Sequence, residues 1–521
     1  MVPLPGLPRR RRALAAGLGL ATAAALAVLP GAAPASASSA STSSTASFDA
    51  AGSASHGSQP PRTDGPLLSY VVNVDGGRGT QRSVERAIER AGGQVVIAYD
   101  RIGVIVVHSA NPAFGATLRR VHGVRSAGAT RTAAIEPSAT TQAGGVRTLT
   151  AAEVAAASAH QAPGQEPLEA DQWDLRAIRA DKAAAVNPGS SKVTVGIIDT
   201  GVDDTHPDLA ANFSAKQSAS CVGGVADTSP GAWHPWDPAA DYHGTHVAGE
   251  IAAARNGIGV AGVAPGVKIA AIKVSEPGTA LFYPESVVCA FVFAADHGIA
   301  VTNNSYYIDP WLYNCPSDPD QRAIVDAVKR AAAYSERKGV LNVAAAGNSD
   351  DDLNSHALTD TSSPDDSTAV TRTVDPHVCL DLPTQLPGVV TVSATGAQNL
   401  KSYYSSYGLT VIDVAAPGGD GNQIPDTPSG NGRILSTLPG GKYGYLQGTS
   451  MASPHVAAVA ALIKSRHPHA SPAQLQALLK IEAKNPGCPT GPAQDATCTG
   501  PRAYNSFYGH GIVDALNAVT R

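Results

Sequence analysis

"KVTVGIID", residues 192–199, is a β-branched, apolar run of strand length that ends on a carboxylate, Asp199. Thr200 and Gly201 turn the chain directly after it. An apolar run without alternation belongs to a strand covered on both faces, and a carboxylate at its buried tip is costly unless it is paired or hydrogen-bonded. Similar runs recur as "KIAAIKV" (268–274), "GIAVTNNS" (298–305), "GVLNVAAAG" (339–347), "GVVTVSA" (388–394) and "VIDVAAPG" (411–418), separated by alanine-rich helical stretches. Long apolar strands alternating with helices predict an α/β fold, a parallel β-sheet flanked by helices on both faces. Ligands of such sheets sit beyond the C-terminal strand ends, where Asp199 lies.

Asp199 needs a partner, and the stretch "DYHGTHVAGEIAA" (241–253) offers His243 just before a Gly-Thr that opens another alanine-rich helix. A histidine there can serve as general base between a carboxylate and a hydroxyl. The hydroxyl is Ser450 in "GTSMASPHVAAVAALI" (448–463), at the start of an apolar helix whose first N–H groups are unpaired and carry partial positive charge. A serine attacking a carbonyl from that point has its own N–H beside the oxygen that becomes negative. Asn348, after Gly347 in "AAAGNS" (344–349), can supply a second donor to that oxygen. The three side chains are far apart in sequence, so only the tertiary fold can assemble them.

These blocks, "IIDTGVDDTHPDL", "HGTHVAG", "AAAGN" and "GTSMASPHVAAVAAL", in the order Asp, His, Asn, Ser, closely resemble the signature segments of subtilisin-like serine proteases. The resemblance covers about residues 172–519, including "YGHGIVDALNAV" (508–519). It implies a peptidase domain at 171–521 that hydrolyses protein or peptide substrates, with Ser450 as nucleophile, His243 as base and then acid, Asp199 orienting the imidazole, and Asn348 in the oxyanion hole. Ser305, Tyr306, Tyr307 and Gly347 are expected to line the substrate. Relatives commonly continue Ser-Leu-Gly-Gly where this chain has Ser305-Tyr306-Tyr307-Ile308, which implies a narrowed or re-aimed pocket. Insertions at 214–240, 309–322, 350–386 and 419–433 are expected around the cleft. Asp208 and Asn256 match positions that bind a structural calcium ion in many relatives, while no cofactor is expected for catalysis. A metal site built on His243 and His246 is disfavoured, because the segment is not HExxH. "NNS" (303–305) matches a glycosylation acceptor but is read as pocket wall.

The remainder of the chain reads as the segments of an exported precursor. Four arginines at 9–12, an apolar stretch at 13–30 and "ASA" at 35–37 form a secretory signal peptide, residues 1–37. The arginine run leaves a twin-arginine route open beside the general one. Residues 38–65 are Ser, Ala, Thr, Gly and Pro and form a flexible spacer. "LLSYVVNV" (67–74), "VVIAY" (95–99) and "GVIVVHS" (103–109), with helical spacing at 82–92 and 112–123 and a strand near 124–134, give a small α+β ferredoxin-like domain at 66–135. By the resemblance it is an inhibitory propeptide, joined by a linker, 136–170, that carries the processing site. No later stretch is long and apolar enough to span a membrane, so the processed product is expected to be secreted and free of the membrane. A net charge of −5 with 16% charged residues gives no basic field for nucleic acid, and a monomer is expected. Six cysteines in an exported chain favour disulfides. The short loop between Cys488 and Cys498 favours that pair; Cys221, Cys289, Cys315 and Cys379 stay unassigned.

Overall fold

In the computed structural model, residues 65–134, 145–491, 495 and 497–521 are described. The expected signal peptide and nearly all of the spacer lie outside them. Seven strands form one sheet in the spatial order Val414–Pro417, Val389–Thr395, Leu341–Ala345, Val301–Asn304, Thr194–Asp199, Lys268–Lys273 and Ala219–Ser220. Every pairing in it is parallel. Each run named from sequence is therefore a strand of this sheet, and the strands are buried on both sides because helices cover both faces. Helices Thr449–Arg466 and His243–Ala252 pack on one face with Val195, Ile197, Val343 and Val392, whereas helices Pro284–Asp296 and Pro319–Arg337 cover the other.

From Thr194–Asp199 the chain first adds strands on one side and then crosses to Val301–Asn304 on the other. Asp199 thus stands at the point where the strand order reverses, the place where an open α/β sheet leaves a crevice.

Ahead of this body, Leu68–Val74, Gly93–Tyr99, Val104–Ser109 and Val124–Ala129 form an antiparallel sheet with Leu68–Val74 between Val104–Ser109 and Val124–Ala129. Helices Arg78–Arg90 and Phe114–Leu118 close one face over Val72, Ile88, Val107 and Phe114. The other face meets the two helices Pro284–Asp296 and Pro319–Arg337, where Val71, Ile102 and Val104 join Val287, Phe291 and Ala327 in one apolar cluster. Asn73 donates to the Ala323 carbonyl at 2.9 Å, and Arg330 donates to the Val74 and Gly103 carbonyls at 2.8 and 3.1 Å.

Residues 145–170, within the expected linker, carry ordered elements in the structure. Arg147–Thr148 pairs with Lys442–Leu446, Ala151–Ser158 is a helix opened by a Thr150/Glu153 capping box, and Leu168 is fully buried. Extended backbone pairing needs no apolar sequence, which is why an Ala- and Thr-rich segment could be read as a tether. Residues 135–144 of the same expected linker lie outside the described residues. Disulfides join Cys221 to Cys289, Cys315 to Cys379 and Cys488 to Cys498.

Candidate active site

Asp199 is fully buried at its strand end and accepts the Thr200 N–H at 2.7 Å. His243 Nδ1 lies 2.9 and 3.0 Å from the two Asp199 oxygens. The approach depends on Gly244, since a Cβ there would stand 2.3 Å from the Gly201 carbonyl oxygen and 3.2 Å from Asp199. With Nδ1–H given to the carboxylate, Nε2 is left as an acceptor. Burial pulls the His243 pKa down, but the Asp199 charge and hydrogen bond outweigh it, and the net shift is upward from 6.5.

Ser450 is the second residue of helix Thr449–Arg466, so its N–H has no acceptor within the helix. Pro454 stands four residues on and has no N–H to give the Ser450 carbonyl. The Ser305 hydroxyl takes that role at 2.8 Å, and the Ser450 hydroxyl in turn donates to the Ser305 carbonyl at 3.3 Å. Ser305 is thereby tied to the helix start, and Asn303, fully buried, donates to the Ser305 hydroxyl at 2.9 Å and accepts from Ser453 at 2.7 Å. Of the "NNS" stretch, Ser305 borders the cavity, while Asn303 and Asn304 are fully buried and are not among its lining residues.

Gly347, at φ +100°, bends the chain after strand Leu341–Ala345 so that Asn348 faces the helix start. Asn348 Oδ1 accepts from Thr449 N and Thr449 Oγ1, both at 2.8 Å. With the oxygen so held, the amide N–H₂ is the end that remains to donate. Asp199's neighbour Thr200, His243, Ser305, Tyr306, Tyr307, Gly347, Asn348 and Ser450 all border one cavity of about 340 Å³. Tyr306 stacks on Phe282 at 4.9 Å between ring centroids and donates to Asn304 Oδ1, so its ring forms a wall of the pocket. Tyr307 donates to Asp365 at 2.7 Å. Three of the insertions border the cavity through Ala240, Asp309, Leu312, Ser362, Asp365 and Asp381.

Sequence reasoning missed the acidity of this cavity, which among the described residues has Asp241, Asp309, Asp365 and Asp381 on its walls but no lysine or arginine. Burial raises all four pKa values, reinforced at Asp309 by Asp365 and at Asp381 by Asp351. Groups that carry less charge oppose a developing oxyanion less. Also missed was a buried cluster behind His243, where His455 contacts Asp174 at 3.1 Å and Glu250 at 3.3 Å, and His246 contacts Glu250 at 2.8 Å. Only the glutamate and histidines inside apolar helices could have signalled it.

Asp208 and Asn256 do come together, but as a closed hydrogen-bond set. Asp208 accepts from Asn256 Nδ2 at 3.3 Å, Val260 N at 3.0 Å and the Tyr443 hydroxyl, and burial pushes its pKa to about 6. Donors converging on the carboxylate do not fit a calcium ion, which needs a cage of oxygens.

A family model described as the subtilase family, Peptidase S8, matches residues 190–511. Subtilisin NAT of Bacillus subtilis subsp. natto is 32% identical over 313 residues, 60% of this chain and 65% of that protein. Subtilisin Savinase of Lederbergia lenta is 31% identical over 352 residues, 67% of this chain and 98% of that protein. The chain therefore covers somewhat less than two thirds of some curated relatives and nearly all of others. Among solved structures, the epidermin leader peptide processing serine protease from Staphylococcus aureus superposes with a TM-score of 0.63 at 23% identity, over 87% of this chain and 98% of that one, a likeness of fold.

Proposed function

This chain belongs to the subtilase family, and on that premise we propose that it is a secreted serine endopeptidase made as a self-processing zymogen. The observation that carries the reading is the double contact of His243 Nδ1 with buried Asp199, on the wall of a cavity shared with Ser450 and Asn348. The peptide enters as an extended chain. Ser450 Oγ, turned from the Ser305 carbonyl toward His243, attacks the scissile carbonyl carbon while Nε2 takes its proton. The negative oxygen of the tetrahedral intermediate is met by the Ser450 N–H and the Asn348 amide. Asp199 stabilises the imidazolium, which then gives the proton to the departing amine. Water, deprotonated by the same imidazole, releases the acyl group and restores Ser450. The chemistry needs no cofactor; a structural calcium ion would require the hydrogen bonds around Asp208 to open.

The N-terminal domain, seated on two helices of the body, is the inhibitor in this reading, and the enzyme cuts its own chain within the linker, 136–170. Secretion agrees with the leader, and among the described residues no helix is long and apolar enough to cross a membrane. Proteins or peptides are the substrates, the mature protein is a monomer, and the charge balance gives nucleic acid no role. Expression of Ser450→Ala in a protease-free preparation tests this: the variant accumulates uncut where the wild type yields two pieces. Efficient maturation of Ser450→Ala would remove the self-processing claim.

A further inference from the structure

Where the N-terminal domain ends, one of its charged side chains is buried against the larger body. Thr130 still bonds Ser69 of its own sheet, N to O at 2.9 Å. The next residue, Arg131, is 5% exposed. Its Nη2 lies 2.5 Å from Glu276 Oε1 and 2.9 Å from Glu285 Oε1, its Nε lies 3.1 Å from Glu285 Oε1, and its guanidinium sits 3.7 Å from the Tyr283 ring centroid. Two carboxylates and an aromatic face around a planar cation make a guanidinium receptor. Burial works against charge on Arg131, yet the two glutamates hold its pKa above the ordinary range.

Among the described residues, Arg131 is the only cation bonded to Glu276 or Glu285. Glu285 is fully buried in the first turn of helix Pro284–Asp296, and its Oε2 has no hydrogen-bond partner among the described residues. When the domain leaves, two carboxylates remain with no counter-charge from the body, and such a site regains stability by taking up another cation. The site also lies along the substrate path. Leu281 and Phe282, just before Tyr283, border the cavity that holds Ser450. Thr132 N donates to Asp366 at 2.8 Å, and neighbouring Asp365 borders the same cavity. The segment from Arg131 onward therefore rests against the cavity rim while preceding the 135–144 stretch in the chain.

We propose that Glu276, Glu285 and Tyr283 form a subsite for an arginine side chain, filled by Arg131 in the precursor and by an arginine upstream of the cleaved bond in substrates of the mature enzyme. This rests on the endopeptidase reading and adds a substrate class to it, namely extended peptides with a basic residue several positions before the cut. The guanidinium keeps its charge, Glu285 Oε1 accepts from both Nε and Nη2, Glu276 Oε1 accepts from Nη2, and the ring lies on its face.

The test is a series of extended fluorogenic peptides in which one arginine, or the neutral isostere citrulline, is moved through the positions upstream of the cleaved bond. With mature wild type, arginine exceeds citrulline in kcat/KM by at least about tenfold, or 1.4 kcal/mol, at one position only. In Glu276→Gln/Glu285→Gln that ratio falls to about one, each ratio being taken within one protein. Should the double variant not fold, Glu276→Gln alone, at the more exposed of the two carboxylates, gives the same reading as a reduced ratio. A ratio near one at every position in wild type, or an undiminished ratio in the variants, overturns the subsite. Failure of the endopeptidase reading would look different: no peptide would be cut, with or without arginine, and both proposals would fall.

Discussion

His243 is held by a carboxylate on one nitrogen and faces the cavity with the other, and this sets how activity depends on pH. Burial lowers its pKa, Asp199 raises it more, and the net value lies above 6.5. The base works only when neutral, so kcat/KM falls as pH drops through a midpoint above 6.5; a pH profile on a small peptide ester checks this. Asp199→Asn removes the charge that raises the pKa, so the midpoint moves down and kcat falls by about 10⁴-fold, the loss typical when the imidazole is left in the wrong tautomer. Asn348→Leu takes away one donor to the oxyanion, and kcat drops by about 10²–10³, or about 2.7–4 kcal/mol, with KM little changed. A larger change in KM than in kcat would place Asn348 in ground-state binding instead. These four side chains were legible in sequence because each sits where a strand or helix ends beside a glycine, Asp199 before Gly201, His243 before Gly244, Asn348 after Gly347 and Ser450 after Gly448. Chemistry placed at chain turns leaves a local trace.

Packing between helices left less of a trace. His455 on Thr449–Arg466, Glu250 on His243–Ala252 and Asp174 on Trp173–Ala177 meet in the interior, and the distance between them in sequence hides the cluster. Burial pulls the His455 pKa down, but hydrogen bonds and charges from Asp174 and Glu250 raise it to about 10. A folded pKa above the unfolded 6.5 means that this group's stabilisation is complete below about pH 6.5 and is lost as pH rises toward about 10. Denaturant midpoints measured across that window should fall with pH in wild type and lose this slope in His455→Leu. That variant, which leaves Asp174 without its histidine and Glu250 with His246 alone, should lose about 3–5 kcal/mol. Around Asp208 the donors are already in place, so a chelator is expected to leave the melting temperature unchanged. A clear drop would mean that Asn256 turns its oxygen inward to hold a cation. The central strands were readable because both of their faces are buried, whereas Arg147–Thr148 was not, because its pairing rests on backbone groups alone.

The arrangement of the molecule places one small sheet across two helices of a larger parallel body and runs Arg131 into a carboxylate pair whose chain neighbours Leu281 and Phe282 border the cavity. Both folded parts were visible as separate patterns of strand and helix. Their contact was not, since Arg131, Glu276 and Glu285 are polar residues that pair only across the two parts. In the proposed mechanism one hydroxyl, Ser450, performs the chemistry. Mass spectrometry of the mature protein after reaction with a serine-directed phosphonyl fluoride tests this most directly. One adduct on Ser450, appearing in step with the loss of casein hydrolysis and absent from His243→Ala, is the expected result. Loss of hydrolysis with the adduct on another residue, or full hydrolysis by a protein modified at Ser450, would contradict it.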